Sequence, residues 1–182
     1  MAILTLGRIA IAFAAMVVLG STWPASAGAQ PQNRVTDEYQ VKAAFLYNFA
    51  KFVQWPQAAD KSQPLTVCVF GDAAFGDVLQ QMVGGKSVQG RDVAVRRLRA
   101  GDDSRACQIL FISAADARHT AELLAGASGA PVLTVGETTP FRREGGLVRF
   151  YVEGNRLRFQ INANGAQQAG LKISSQLLGI AK

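Results

Sequence analysis

The chain has 182 residues, a formal net charge of +6 and two cysteines. Its length is sufficient for one domain with a substantial core. The arginines occur in short groups rather than in one tract interleaved with aromatic residues, so we interpret them as solvated faces and exclude a nucleic-acid partner.

The first residues have the pattern of a secretory signal peptide. Arg8 precedes an apolar run from Ile9 to Leu19, and two small-residue sites of the A-x-A type follow at 25–27 and 27–29. A membrane anchor is the alternative, but this run is shorter than the roughly 20 residues that span a bilayer. The pattern therefore predicts an exported protein.

The expected organisation of the chain follows from this signal. We expect residues 1–27 to be removed as the signal peptide, with cleavage at 29 as the second possibility. Residues 28–35 read as a polar leader. No repeat or second linker interrupts residues 36–182, which we assign to a single domain.

The first predicted element of that domain is an aromatic helix. Thr36 can cap its start, and Pro56 disfavours helical geometry at Trp55 and so ends it. Lys42 lies largely outside the apolar stripe of this helix. The stripe follows the helical period and is expected to face the core: Val41, Phe45, Phe49 and Val53, with Leu46 and Ala50 widening it.

Two further aromatic residues of this helix are spread beyond that stripe. Tyr47 and Trp55 are difficult to bury together with it on a single face. Partly exposed aromatic residues often mark interfaces, where Trp and Tyr are common anchors. We therefore predict that Tyr47, Trp55 or both contribute to a dimer or partner surface.

Three short apolar runs follow the helix, at 65–71, 107–112 and 131–137. Because they do not alternate, they indicate parallel strands that are covered on both faces. Helical patterns at 75–83 and 114–124 separate them. The segment 91–98 mixes polar and apolar residues, as an edge strand does.

The last part of the chain changes to an antiparallel pattern. Residues 147–161 alternate about Gly154-Asn155, which predicts a two-residue hairpin turn. A helix from about 165 to 180, capped by Asn164 and with Ile173, Leu177 and Ile180 facing inward, is expected to close the chain. The order of elements predicts an α/β fold with a mostly parallel, Rossmann-like sheet, an antiparallel C-terminal hairpin, and helices on its faces.

The two cysteines, Cys68 and Cys107, fall in the first and third predicted strands. An exported protein with two cysteines is a candidate for one disulfide, and two buried free thiols are the alternative. The first and third strands of a βαβαβ unit are commonly adjacent, so pairing is geometrically possible. We expect a structural disulfide, because neither cysteine lies in a C-x-x-C motif or beside a histidine.

The sequence carries no recognisable catalytic motif. His119 is the single histidine, without a metal-ligand pattern around it, and no nucleophile-elbow or phosphate-loop motif is present. Asp72, Ser113 and Glu137 each follow a predicted parallel strand and could line a ligand crevice, although turn and cap roles are the simpler interpretation. We predict a protein that is not an enzyme and that uses no metal or cofactor.

The order of these motifs resembles the YfiR family, exported bacterial proteins typified by the periplasmic regulator of the membrane diguanylate cyclase YfiN. The resemblance extends from about Asp37 to Ala181. It rests on six stretches in the same order: EYQVKAAFLYNFAKFVQWP, VCVFGDAAFGDVL, GKSVQGRDVAVRRL, CQILFIS, VLTVGE and GLKISSQLL.

The resemblance implies regulation without chemistry. Such a protein holds the periplasmic domain of a membrane diguanylate cyclase inactive and lowers cyclic-di-GMP output, and an outer-membrane YfiB-like lipoprotein relieves the repression. It also implies a periplasmic location, a homodimer, and a disulfide between Cys68 and Cys107. Some members have a second disulfide near the hairpin, where this chain has Arg142 and Arg149. The alternative function is a periplasmic small-ligand-binding module with a different membrane partner or none.

Overall fold

The computed structural model describes residues 31–56 and 62–182, so the predicted signal peptide and the first part of the predicted leader lie outside it. The helices are α1 (Pro31–Phe52), α2 (Ala73–Val83), α3 (Thr120–Ala127), α4 (Thr139–Arg143), α5 (Ala163–Gln168) and α6 (Ser175–Ile180). The strands are β1 (Val53–Gln54), β2 (Leu65–Phe70), β3 (Ser87–Val88), β4 (Arg91–Leu98), β5 (Ile109–Ile112), β6 (Leu133–Gly136), β7 (Val148–Glu153), β8 (Arg156–Ile161) and β9 (Lys172–Ile173).

Seven of the strands form one sheet in the order β3-β4-β2-β5-β6-β7-β8. Strands β4, β2, β5, β6 and β7 pair in parallel, whereas β3 and β8 pair antiparallel with their neighbours. This confirms the predicted fold class. The chain leaves β2 toward β4 on one side and later returns to β5 on the other, so the carboxyl ends of β2 and β5 flank a topological switch point.

The apolar strands divide their side chains between two faces, as the period of two requires. On β2, Val67 and Val69 belong to the larger buried cluster, whereas Cys68 and Phe70 belong to the smaller one. Helices α1, α2, α5 and α6 contribute buried residues to the larger cluster, and α3 and α4 contribute to the smaller. We call the two sides the large face and the small face.

The first helix differs from its predicted bounds at both ends. It begins at Pro31 rather than after a cap at Thr36, and it ends at Phe52. The next two residues become extended because β1 pairs antiparallel with β9, with Val53 opposite Ile173. The backbone N–H of Ser174 also donates to the Phe52 carbonyl at 3.0 Å. A tertiary pairing therefore ends this helix three residues before the Trp-Pro signal.

The predicted apolar stripe of α1 is correct only in part. Phe49 and Val53 are fully buried, but Val41 is 44% exposed and its neighbour Lys42 is buried instead. Leu46 and Ala50, which were expected to widen the stripe, are fully buried, and so is Ala43. The predicted face is therefore wrong mainly at Val41, where Lys42 and Ala43 turn inward instead.

The predicted terminal helix is wrong as a single element. It begins after a cap at Asn162 rather than Asn164, and it is interrupted at Gly170, which has φ +76°. The N–H of Leu171 bonds to the Ala166 carbonyl at 2.9 Å, as in the Schellman ending of a helix at a left-handed glycine. The chain then forms β9 and α6, and Ile180, expected inside, is 63% exposed.

The hairpin prediction is confirmed. Strands β7 and β8 pair with Tyr151 opposite Arg158 and Glu153 opposite Arg156. Asn155 at the turn has φ +63°, a conformation that asparagine adopts more readily than most residues. The predicted helix over 114–124 begins instead as a 3-10 turn, because the backbone of Asp116 is not helical, and α3 follows it.

Candidate functional site

The three crevice candidates follow three neighbouring strands of the sheet. Asp72 lies two residues after β2, Ser113 directly after β5, and Glu137 directly after β6. The Ser113 N–H donates to the Phe70 carbonyl at 3.0 Å. The structure thus places all three at the carboxyl edge of the parallel strands, beside the switch point.

Each of these side chains already accepts a hydrogen bond from the backbone. Asp72 Oδ1 accepts from the N–H of Phe75 at 2.9 Å and caps α2. Ser113 Oγ accepts from Ala115 at 3.2 Å, and Glu137 Oε2 accepts from Ala114 at 2.8 Å. Turn and cap bonds of this kind are what their positions after the strands favour.

Helix α1 supplies further partners at the same edge. The Tyr39 hydroxyl donates to Asp72 Oδ2 at 2.7 Å. Lys42 Nζ lies 2.5 Å from Glu38 Oε1 and forms a second ion pair with Glu137, and the lysine is only 8% exposed. We call Tyr39, Lys42, Asp72 and Glu137 the carboxyl-edge network. It ties the first helix to the loops after β2 and β6.

The network alters the proton affinity of two of its members. Burial on its own lowers the pKa of Lys42, but the hydrogen bonds and charges of Glu137 and Glu38 outweigh it, so the pKa is raised. The hydrogen bond to Asp72 raises the pKa of Tyr39 to about 12, with burial and the Asp72 charge adding to it. Both groups therefore stay protonated at neutral pH, and the network carries a fixed positive charge between two carboxylates.

Next to the network lies a cavity of about 500 Å³ at the switch point. Its lining includes Gly71, Arg97 and His119. His119 Nδ1 lies 3.0 Å from Asp116 Oδ1, and its ring packs edge-on against Phe70. Within residues 31–56 and 62–182, no group of three or more His, Cys, Asp or Glu side chains is arranged to hold a metal ion.

The two predicted partner-surface residues lie toward the opposite end of α1. Tyr47 is half-buried, and its ring centroid is 4.2 Å from Lys51 Nζ and 4.9 Å from Lys86 Nζ. Trp55 is also half-buried, and its indole N–H donates to the Gln108 carbonyl at 3.2 Å. Both side chains pack against the large-face core while keeping an exposed part.

The predicted disulfide is present. Cys68 and Cys107 are bonded with their Cα atoms 5.8 Å apart, and both are buried on the small face. The bond joins β2 to the start of β5, which are adjacent strands. It leaves no free cysteine in the described part of the chain.

Sequence reasoning missed the functional role of Tyr39 and Lys42. A signal was available for the lysine, because Glu38 precedes it by four residues, the spacing of an ion pair on a helix. No local signal indicated Glu137 as the second partner, because that contact depends on how α1 lies across the sheet. The hydrogen bond from Trp55 to Gln108 could not be predicted from local sequence either, because it joins residues that are distant in the chain.

Comparison with known proteins identifies the family. The model of the family described as YfiR/HmsC-like, DUF4154, matches residues 39–182 of the chain. The chain belongs to the YfiR/HmsC-like family. This confirms the resemblance seen in the sequence, and the matched region begins at Tyr39, at the start of the carboxyl-edge network.

The fold also has a counterpart among solved structures. A conserved domain protein from Vibrio cholerae O1 biovar El Tor str. N16961 superposes with a TM-score of 0.56 at 11% sequence identity. The match covers 79% of this chain and 59% of that chain, so this chain spans less than two thirds of its length. At this identity the likeness concerns the fold alone.

The YfiR/HmsC-like family is regulatory rather than catalytic, and its members are periplasmic regulators of diguanylate cyclases. In the part of this member that the structure describes, none of the helices combines the length and apolar character needed to cross a bilayer. The contacts at the carboxyl edge join α1 to the loops after β2 and β6, whereas Tyr47 and Trp55 near the other end of α1 keep an exposed part.

Proposed function

We propose that this protein is a non-enzymatic periplasmic regulator that represses a membrane-bound diguanylate cyclase by binding the cyclase's periplasmic domain. Repression would lower cyclic-di-GMP in the cell. An outer-membrane YfiB-like lipoprotein would relieve it, and the working form would be a homodimer exported by the N-terminal signal. The observation that carries this proposal is the family match over residues 39–182.

The chemistry of the carboxyl edge supports binding over catalysis. Lys42 is neutralised by two carboxylates, and Asp72 and Glu137 already hold backbone and side-chain donors. A general base must reach its substrate's proton through a free lone pair. Side chains with this many partners suit a fixed scaffold that presents a surface.

The surface that we propose for the partner lies around Tyr47. Its ring lies between two lysine ammonium groups, so the patch combines an aromatic face with positive charge. Tyrosine at such a site offers a large contact area at a small cost in conformational entropy. Trp55 belongs to the same end of the helix, but its indole is also bonded to the core, so Tyr47 is the cleaner position to test.

Deletion of the gene in the native host tests the proposal directly. Cyclic-di-GMP and biofilm should rise, and the wild-type gene should restore both. A version without residues 1–27 should fail to restore them, because the protein would not reach the periplasm. Unchanged cyclic-di-GMP in a deletion strain that expresses the cognate cyclase would contradict the proposal.

A matched pair of variants tests the surface. Tyr47→Ala should weaken binding to the purified periplasmic domain of the cyclase at least tenfold, measured by calorimetry, after melting has shown that it folds. Tyr151→Ala removes another half-buried tyrosine, on the hairpin, and should bind as the wild type does. If both variants bind the cyclase domain equally well, the interface does not include Tyr47. Sedimentation of each variant would show whether the patch around Tyr47 also forms the dimer.

A second candidate function is a periplasmic small-ligand-binding module. The observation in its favour is the cavity of about 500 Å³ at the switch point, the place where α/β sheets commonly bind ligands. A deletion strain with normal cyclic-di-GMP, together with saturable ligand binding that Asp72→Asn abolishes, would favour this function over the first.

A further inference from the structure

A second pocket shares no lining residue with the carboxyl-edge network and has basic rather than acidic side chains in its lining. It is formed by the end of α4, the outer side of the β7–β8 hairpin and the start of α5, and its volume is about 400 Å³. We call it the hairpin pocket. The residues that give it its chemistry are Arg142, Arg143, Arg149, Gln160, Asn162 and Asn164. None of the residues that line it is acidic.

Arg149 is held in one orientation inside this pocket. Its Nη2 donates to Gln160 Oε1 across the hairpin at 3.2 Å, and its guanidinium lies 5.2 Å from the centre of the Tyr151 ring. These two contacts use neutral partners, so they orient the guanidinium without neutralising its charge. The Nε of Arg149 is buried and has no hydrogen-bond partner among the described residues.

The other two arginines add charge without a counter-ion. Arg142 and Arg143 are exposed on the last turn of α4. In the described part of the chain, ion pairs involve Lys42, Arg97, Arg118, His119 and Arg158, and none involves an arginine of the hairpin pocket. Three arginines therefore line one pocket whose lining contains no carboxylate.

We propose that the hairpin pocket binds a small organic anion that carries a carboxylate or phosphate group. Guanidinium groups form paired, charge-assisted hydrogen bonds with both anions. The volume falls within the range of small-molecule sites, and the side-chain amides could recognise hydroxyl or carbonyl groups of the same ligand.

This proposal goes beyond the proposed function, because it needs no cyclase. It makes the protein responsive to an anionic metabolite at a site on the hairpin, on the opposite face of β7 from Val148 and Phe150. The pocket is also separate from the cavity at the switch point, with which it shares no lining residue.

The proposal can be tested by calorimetry. The exported protein is titrated with citrate and with glycerol 3-phosphate at constant ionic strength. We expect saturable binding of at least one probe with a dissociation constant below about 1 mM. Arg149→Gln should weaken it at least tenfold, and Arg149→Lys should weaken it less, because lysine keeps the charge but loses the forked geometry. Arg142→Gln changes an exposed residue and serves if Arg149→Gln fails to fold.

Arg96→Gln is the matched control, since Arg96 is an exposed arginine on β4 outside this pocket. It should bind both probes as the wild type does. If neither probe saturates below about 10 mM, the proposal is overturned. It is equally overturned if Arg96→Gln weakens binding as much as Arg149→Gln, because the affinity would then depend only on the net charge of the protein.

Discussion

The two faces of the sheet are stabilised in different ways. On the large face, Phe49 of α1 meets Phe150 and Phe159 of the hairpin with ring centroids 5.9 and 5.1 Å apart, and four helices complete the cover. On the small face, a smaller apolar cluster under two helices contains the disulfide. A domain with one strong face and one weak face gains most from a covalent link on the weak one, because apolar burial there is limited.

Phe49→Ala is expected to have the largest effect on stability, because it weakens the large face directly. This ring is fully buried and sits among three other phenylalanines. We expect a loss of about 3–5 kcal/mol in the free energy of unfolding, from lost burial and the cavity left behind. Urea denaturation of the oxidised protein measures it. Phe49→Leu is the control and should cost clearly less, whereas equal losses would show that the aromatic ring itself, rather than the volume it fills, stabilises the cluster.

The disulfide is the second way to test the comparison. Replacing both Cys68 and Cys107 by alanine should cost about 2–4 kcal/mol, because the bond closes a loop of 39 residues in the unfolded chain. The wild type melted with reductant should match the variant. Detection of two free thiols in the denatured, non-reduced wild type would show that the small face has no covalent link.

The smallest effect concerns the polar attachment of α1 to the sheet. The folded pKa of Tyr39 is about 12 and the ordinary value is 10.0, so its contribution to stability is complete below pH 10 and is lost as the pH rises toward 12. A tyrosinate absorbance titration should show an ionisation step near pH 12 that Tyr39→Phe removes. A titration curve that Tyr39→Phe leaves unchanged in that range would contradict the Asp72 hydrogen bond.

The sequence predicted the parts of the fold that depend on local pattern. The parallel strands, the hairpin with its register, and the adjacency that allows Cys68 to meet Cys107 all follow from period, turn residues and strand order. The helix caps at Asp72 and Ser113 are local as well. The strands, the hairpin and the caps hold because each depends on residues close together in the chain. Cys68 and Cys107 are 39 residues apart, and their adjacency followed instead from the strand order common in βαβαβ units.

Two of the errors share one physical cause. The end of α1 and the burial of Lys42 each depend on segments that are distant in sequence but packed together. For Gly170 a local signal existed, since glycine often ends a helix, and it was outweighed by the apolar residues on both sides. For Lys42 the helical period placed the residue outside the stripe, whereas a carboxylate from another element made its burial favourable.

The pairing of β1 with β9 has a consequence for how the molecule forms. Val53 and Ile173 are about 120 residues apart in the chain, yet each completes the other's short strand. Contacts between such distant segments close late, because the entropy of a long loop must be overcome first. The native end of the first helix therefore cannot be secured until β9 is available, so folding of this domain is completed only after almost the whole polypeptide has been made.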